Sequence, residues 1–262
     1  MTSNADYHAD PAVSASHLHA VAKSPYHYWS RYLDPKRSAP EPTAAMRLGS
    51  LVHCAVLEPE ELAGRYGVCA PRNTKAGKEQ AERMAAAGIE AITQSDMALA
   101  LSMALSVRLH PAAAALLAHG KAEQSFWWDD AATGLRCKCR PDWYDGTTVV
   151  DLKTTTDAGP GFARSVATFR YHVQASHYLA GLHGAERFVF IAVEKTAPYA
   201  VAVYELDAAA MAAGDELRQR DMRVIADCQA TKEWPGYGNT IQSLSLPSWA
   251  LTANPTITSD DF

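Results

Sequence analysis

Within residues 147–153, Val149, Asp151 and Lys153 alternate with Thr148, Val150 and Leu152. A strand here has a period of two, so Asp151 and Lys153 point to one face and a carboxylate projects beside an ammonium. Nine residues before Asp151, Arg140-Pro141-Asp142 closes the preceding extended run, and Asp145-Gly146 supplies a tight turn that folds the two runs back on each other. Asp142 is thereby brought toward Asp151. Two acidic oxygens converging beside a lysine make a hard-oxygen site suited to Mg²⁺ or Mn²⁺, with the lysine placed to orient or deprotonate an attacking water. The plain alternative is a surface ion pair on a sheet, and Asp-x-Lys alone is too short to separate the two.

Periodicity indicates the elements that position these groups. Residues 123–128 read as extended, Thr133-Gly134 as a turn, and Leu135, Cys137 and Cys139 alternate with Arg136, Lys138 and Arg140, so a strand pair precedes the Asp151 strand. After it come one long helix over 162–182, a central strand over 187–193 that is apolar on both faces, its neighbour over 199–206, and a long helix over 208–230. Pro235 and Gly236 then open an irregular tail. Upstream, Ser14 and Ser16 precede Leu18, Val21 and Ala22, a capped short helix interrupted by Ser24-Pro25. Tyr26, Tyr28, Trp29 and Tyr32 follow, and residues 36–43 form a proline-rich loop. Leu48, Leu51, Val52, Ala55 and Val56 make a buried helical stripe, with His53 off the stripe one turn after Gly49. Residues 71–78 read as an exposed basic loop, and 79–118 as an alanine-rich helical region broken near Gly88 and Pro111. The expected architecture is one α/β domain over residues 1–262: a helical and loop entry (1–45), an α/β core (46–230) and an irregular tail (231–262).

Composition narrows the function. With 48% hydrophobic and 20% charged residues the chain is neither disordered nor fibrous. Twenty-four Lys plus Arg against 29 Asp plus Glu give a formal charge of −5, which excludes coating nucleic acid through bulk positive charge. A polyanion would need a local basic surface. Cys54, Cys69, Cys137, Cys139 and Cys228 are an odd, scattered set suited to a reducing compartment, and Cys137-x-Cys139 lacks the spacing of most zinc sites, so buried packing is its expected role. Residues 1–10 are polar and no apolar run approaches membrane-spanning length, which leads to the expectation of a cytoplasmic protein with no membrane partner.

Pro141-Asp142 and Asp151-Leu152-Lys153, joined by a hairpin turn, form the arrangement Pro-Asp…Asp-x-Lys, and the chain resembles the PD-(D/E)xK nuclease superfamily. Gln174 and Tyr178, four apart on the following helix, resemble the Gln-x-x-x-Tyr of the exonuclease subgroup typified by the RecB nuclease domain, phage lambda exonuclease and RecE. Ser14-Ala15-Ser16-His17-Leu18, Ser24-Pro25-Tyr26, the Gly49-to-His53 spacing and Glu123 match other features of that subgroup. The nearest resemblance is to the RecE, or exonuclease VIII, C-terminal nuclease domains. It is carried by Tyr7-His8-Ala9, Leu57-Glu58-Pro59-Glu60-Glu61, Ala76-Gly77-Lys78-Glu79, residues 137–142, Tyr171-His172-Val173-Gln174 and residues 244–249, and so spans nearly the whole chain.

This resemblance implies a PD-(D/E)xK fold with a central mixed β-sheet flanked by helices, in a free-standing 5′→3′ exodeoxyribonuclease. Such an enzyme digests one strand of linear double-stranded DNA and leaves 3′ single-stranded tails for recombination by strand annealing. Asp142, Asp151 and the Leu152 carbonyl would hold Mg²⁺ or Mn²⁺, with His53 supplying nitrogen to a second ion. Lys153 would orient the water and offset charge on the scissile phosphate. Glu123 is either an outer ligand or an acceptor behind the ligands, and Gln174 and Tyr178 would position the lysine, the water or the nucleic acid. Ser14 and Ser16 are anchors for a terminal 5′-phosphate or simply helix caps. Arg31, Lys36, Arg37, Arg47, Arg72, Lys75, Lys78, Arg164 and Arg170 are the candidate phosphate contacts. Some relatives hold an iron–sulfur cluster through a cysteine that Ser24 replaces here, so no iron–sulfur cluster is expected. The resemblance further implies a ring-shaped homo-trimer or tetramer and a single-strand annealing partner of the RecT or Redβ type. The alternatives are a PD-(D/E)xK nuclease of other polarity, an endonuclease, or a non-catalytic DNA-end-binding protein.

Overall fold

The run ending at Val193 and the run through Asp151 pair in parallel at the centre of the molecule. The structure is a computed structural model and describes residues 4–38 and 41–247. Its strands are β1 (Tyr66–Val68), β2 (Glu90–Ile92), β3 (Lys121–Ala122), β4 (Phe126–Asp129), β5 (Arg136–Cys139), β6 (Trp143–Tyr144), β7 (Thr148–Thr155), β8 (Arg187–Glu194) and β9 (Val201–Glu205). The helices are α1 (Asn4–Ala9), α2 (Ala15–Lys23), α3 (Pro25–Tyr32), α4 (Ala44–Leu57), α5 (Leu62–Arg65), α6 (Lys75–Ala86), α7 (Gln94–Leu109), α8 (Pro111–Leu116), α9 (Phe162–Thr168), α10 (Tyr171–Gly181) and α11 (Ala208–Thr231).

The main sheet has the order β3-β6-β7-β8-β9, with β7 and β8 parallel and its other pairs antiparallel. Parallel neighbours require a crossover, which α9 and α10 supply. This is the expected mixed sheet flanked by helices, with α1 to α3 forming the N-terminal helical extension. Alternation along β7 and β8 serves two cores. Val149, Phe188 and Phe190 pack with Leu18, Val173, Met222 and Ile225 from α2, α10 and α11. Val150, Leu152, Ile191 and Val193 pack with Leu51, Val52, Met103 and Val107 from α4 and α7. β7 is thus covered on both faces, a place where an ionised carboxylate is costly. Asp151 sits there with 1% of its surface exposed. Gly214 lets α11 close on α10, since a Cβ would stand 2.3 Å from the His172 carbonyl oxygen.

Several elements differ from the sequence reading, each for a local reason. The single helix expected over 162–182 is two, because Arg170 adopts a left-handed φ of 58° between α9 and α10. No proline or glycine marks that break. Lys75 and Lys78 belong to α6 rather than to a loop, because the Thr74 hydroxyl caps the Gly77 amide at 3.0 Å. The helical region expected from residue 79 is interrupted by β2, which pairs in parallel with β1. Glu123 does not open a strand; it lies between β3 and β4 with φ 52°. The hairpin β4–β5 forms a sheet of its own, and Asp142 lies in the connection from β5 to β6 rather than at the end of the Cys-bearing strand. Cys137 and Cys139 are fully buried in packing. Lys138, on the opposite face, is also buried at 2% exposure, because its ammonium donates to the carbonyls of Tyr7 and Asp10 and lies over the Tyr7 ring. Residues 232–247 carry no helix or strand, and the remainder of the tail, with Ser248 and Trp249, lies outside the described residues.

Candidate active site

The register of β6 on β7 pairs Trp143 with Val150, which sets Asp142 across from Asp151. β6 stops there, so Leu152 presents its backbone polar groups to a gap instead of a strand. Two side chains take them. The Leu152 amide donates to Asp142 Oδ2 at 2.7 Å, and the Leu152 carbonyl accepts from His53 Nε2 at 2.7 Å. Because a carbonyl only accepts, Nε2 carries a proton, and Nδ1 lies 3.7 Å from Asp142 Oδ2. His53 reaches this point from α4, whose apolar stripe packs on the opposite side of β7 from Asp151. Glu123 joins from its left-handed position, its amide donating to the Asp142 carbonyl at 3.2 Å. One ligand atom from each of His53, Glu123 and Asp142 lies within 4.8 Å of the others.

Behind this cluster Asp151 faces α10. Its Oδ1 accepts from Gln174 Nε2 at 2.6 Å, and its Oδ2 forms an ion pair with Lys153 Nζ at 2.5 Å. Gln174 holds both partners, since its Oε1 accepts from Lys153 Nζ at 3.3 Å. The ammonium also lies 4.5 Å from the Tyr171 ring centroid, a cation–π contact one turn before Gln174. Tyr178 is buried, and its hydroxyl donates to the Arg140 carbonyl at 3.3 Å, supporting the segment that carries Asp142 rather than touching Asp151 or Lys153. Arg140 ties down Glu123 through the Glu123 carbonyl at 2.8 Å and carboxylate at 3.2 Å. Arg140 and Tyr171 lie inside strings singled out in the sequence, but no spacing rule marked them as part of the site.

The electrostatics are those of too many carboxylates and too few donors. Burial, then the charge of Asp142, push the Glu123 carboxyl up to about 7, against the pull of His53 and Arg140. Burial likewise raises Asp151 to about 6; Lys153 opposes the rise and Asp142 adds to it. For Lys153, burial disfavours the charge, but Asp151 and Asp142 outweigh it and hold the ammonium protonated above its ordinary range. In this arrangement the lysine is a donor. The His53 ring nitrogen and the Glu123 and Asp142 carboxylates, gathered beside the Leu152 carbonyl and the buried Asp151–Lys153 pair, fit a divalent cation, whose charge would relieve the repulsion that raises Glu123 and Asp151.

A cavity of about 460 Å³ opens beside the cluster, walled by Glu123, Arg140, Gln174 and Tyr178 on one side and by α2 and α3 on the other. It brings Ser14, Ser16 and Arg31 to the site, and Arg170 lines it while its guanidinium is held by the buried Asp221. Ser14 is the N-cap of α2, with its hydroxyl 2.7 Å from His17 Nδ1 and 3.0 Å from the Ser16 hydroxyl. The other basic candidates lie elsewhere. Arg47, 3.7 Å from Glu41, and Arg72, bonded to the Ala91 carbonyl, line a separate cavity at the start of α7. Lys75 pairs with Glu79 at 3.9 Å, and Lys36, Arg37, Lys78 and Arg164 are exposed on the surface.

Among solved structures, that of a protein from Eubacterium rectale, provisionally named an exonuclease, is similar with a TM-score of 0.67 at 13% identity, covering 97% of this chain and 99% of the other. That of SSO0001 matches with a TM-score of 0.30 at 17% identity, over 68% of this chain and 86% of the other. No curated protein sequence matches the chain. No helix among the described residues is long and apolar enough to cross a membrane. The family model described as "PDDEXK-like domain of unknown function (DUF3799)" matches residues 14–247, so the chain that gathers Asp142, Asp151 and Lys153 at the end of β6 belongs to that PD-(D/E)xK family.

Proposed function

We propose that the protein is a divalent-metal-dependent 5′→3′ exodeoxyribonuclease that digests one strand of linear double-stranded DNA and leaves a 3′ single-stranded tail. One observation carries the reading: Glu123, clustered with His53 and Asp142, and Gln174, which bonds both Asp151 and Lys153, line one side of a cavity whose far wall is the serine-capped start of α2 and Arg31. Asp142, Asp151 and the Leu152 carbonyl would hold one Mg²⁺ or Mn²⁺, and His53 and Glu123 would complete a second position. A cation held there would polarise the scissile phosphate and promote ionisation of water. Lys153, fixed by Asp151, Gln174 and the Tyr171 ring, presents an ammonium donor to charge developing on the phosphate. Gln174 keeps Asp151 and Lys153 in register, so neither group has to reorganise as the reaction proceeds.

The 5′ polarity is supported by the hydroxyls and amides at the start of α2, together with Arg31, which suit a terminal phosphate bound in the cavity that Glu123 and Gln174 also line. From the resemblance to RecE and lambda exonuclease the reading also takes a ring-shaped homo-trimer or tetramer, and a RecT- or Redβ-type annealing protein as partner in recombination. The test is direct. Purified protein with Mg²⁺ is given linear duplexes labelled at the 5′ or the 3′ end, alongside closed circles. Early release of the 5′ label with circles left intact is expected; early release of the 3′ label, or cutting of circles, overturns the polarity or the exonucleolytic mode. Digestion by Asp151→Ala and Lys153→Ala at the wild-type rate would overturn the site.

A further inference from the structure

The α2–α3 hairpin has the opposite charge to the chain as a whole. Residues 14–38 contain Lys23, Arg31, Lys36 and Arg37 against Asp34 alone, four positive less one negative or +3, in a chain of formal charge −5. On this hairpin lies a second cavity, of about 690 Å³, lined by His19, Lys23, Tyr26, His27, Arg31 and Tyr237, with no carboxylate among the described residues that line it. His19 and Arg31 also line the cavity beside the candidate site, so the two adjoin. Among the described residues neither Lys23 nor Arg31 forms an ion pair.

Aromatic rings face outward along this path. Tyr26 is 52% exposed and Tyr237 is 69% exposed. Both are braced: Tyr26 stacks on Trp29 with ring centroids 6.0 Å apart, and Tyr237 meets His27 edge-on at 5.7 Å. The Tyr26 amide donates to the Pro235 carbonyl at 3.0 Å, which lays the segment bearing Tyr237 alongside α3. Fixed rings exposed among cations that form no ion pair among the described residues, Arg31 lying over the Tyr32 ring, suit a strand whose phosphates meet the cations and whose bases stack on the rings.

We propose that this surface is a track for one unpaired nucleic-acid strand, adjoining the cavity beside the candidate site, with phosphates on Lys23 and Arg31 and bases on Tyr26 and Tyr237. The inference rests on the nuclease reading and extends it to the form of the substrate. A duplex keeps its base faces stacked internally and offers none to the tyrosines, and an acidic peptide would use the charge but leave the rings idle.

The test is fluorescence anisotropy of the full chain in EDTA, where nothing is cut, with a 5′-phosphorylated thymidine dinucleotide, a thymidine dodecamer, a blunt duplex and a polyglutamate peptide. The dodecamer should bind roughly tenfold or more tightly than the dinucleotide. Tyr26→Ala should weaken dodecamer binding by roughly five- to tenfold without weakening dinucleotide binding, and Tyr26→Phe should restore it. Lys23→Ala should lower the salt dependence of dodecamer binding by about one phosphate contact. The track is overturned if dodecamer and dinucleotide bind alike, if Tyr26→Ala weakens both equally, or if duplex or polyglutamate shows the same loss. Failure of all nucleic acids to bind would instead overturn the nuclease reading beneath it. Matching thermal melts for Tyr26→Ala and Tyr26→Phe keep a folding defect from passing as a binding defect.

Discussion

Two carboxylate clusters flank α10, and they are built to opposite rules. Asp130, Asp215 and Arg218 form a closed cluster. Asp130 accepts from the Thr133 amide at 3.1 Å, the Thr133 hydroxyl at 2.8 Å and Arg218 at 3.1 Å, while Asp215 accepts from Arg218, Ser176 and Gln219. Burial works against the charge of both, but these donors outweigh it and hold both carboxyls below their ordinary range. At the candidate active site the same residue types are left short of donors, and burial with mutual repulsion carries Glu123 to about 7 and Asp151 to about 6. Both clusters are polar and mix buried with partly exposed groups, so neither burial nor composition separates them. What separates them is whether the protein itself satisfies the charge. A cluster that the chain completes holds the fold together; one that it leaves incomplete is suited to a cation and a phosphate.

That contrast can be broken by experiment. The largest effect belongs to the open cluster: Asp142→Asn and Lys153→Ala should each lower metal-dependent release of nucleotides by about a thousandfold. Urea denaturation in EDTA should show Asp142→Asn no less stable than wild type, because the substitution removes repulsion from Glu123 and Asp151. A large loss of stability would make Asp142 a structural residue. In the closed cluster the roles reverse. Arg218→Met leaves Asp130 buried without its cation and should cost about 3 kcal/mol in urea, with activity per folded molecule retained.

Metal addition gives a smaller effect with the same logic. Mg²⁺ or Mn²⁺ at a hundred times its dissociation constant should stabilise the wild type by about 2.7 kcal/mol, read as a rise in Tm, and should do far less for Asp142→Asn. An equal rise in both proteins would place the ion elsewhere.

Acid supplies the smallest and most discriminating test, because the two clusters respond with opposite sign. In metal-free protein the folded pKa of Glu123, about 7, lies above its ordinary value of 4.5, so the folded state binds the proton more tightly and gains stability as pH falls through that window. Glu123→Gln should therefore be the more stable protein at pH 8, by about 1 kcal/mol after allowing for partial exposure, and the advantage should shrink toward pH 5. The folded pKa of Asp130 is depressed, so its contribution is present above the ordinary value of 3.8 and lost as pH falls through the folded value. The deficit of Arg218→Met should accordingly persist at pH 5 and fade only in stronger acid. Parallel pH profiles for the two variants would erase the distinction.

Much of the open cluster was legible before folding. Period two in residues 147–153 sets Asp151 and Lys153 on one face, the turn at Asp145-Gly146 brings Asp142 back, and spacing on α4 and α10 presents His53 and Gln174. The closed cluster was not legible at all, because Asp130, Ser176 and Arg218 come from three separate elements with no motif joining them. The helix break at Arg170 was equally hidden. A non-glycine residue in the left-handed region is disfavoured by roughly 1 kcal/mol, and it is stabilised here by Asp221, fifty-one residues away on α11. Alternation sets Lys138 opposite the two cysteines without saying what covers that face; here the α1 segment does.

The sequence by itself therefore determined which groups share a strand or helix face, because local periodicity depends only on backbone geometry. That was enough for the strand bearing Asp151 and Lys153 and for an α/β domain, while the PD-(D/E)xK fold with its mixed sheet came from the resemblance of the motifs. Only the tertiary structure decided which charges are satisfied and which are left over. Glu123 enters the site from a left-handed backbone position, Arg140 pins it there, and α2 and α3 close the cavity from far upstream in the chain. Those outcomes depend on what long-range packing sets beside each group, and burial and donor count are properties of that neighbourhood rather than of the residue.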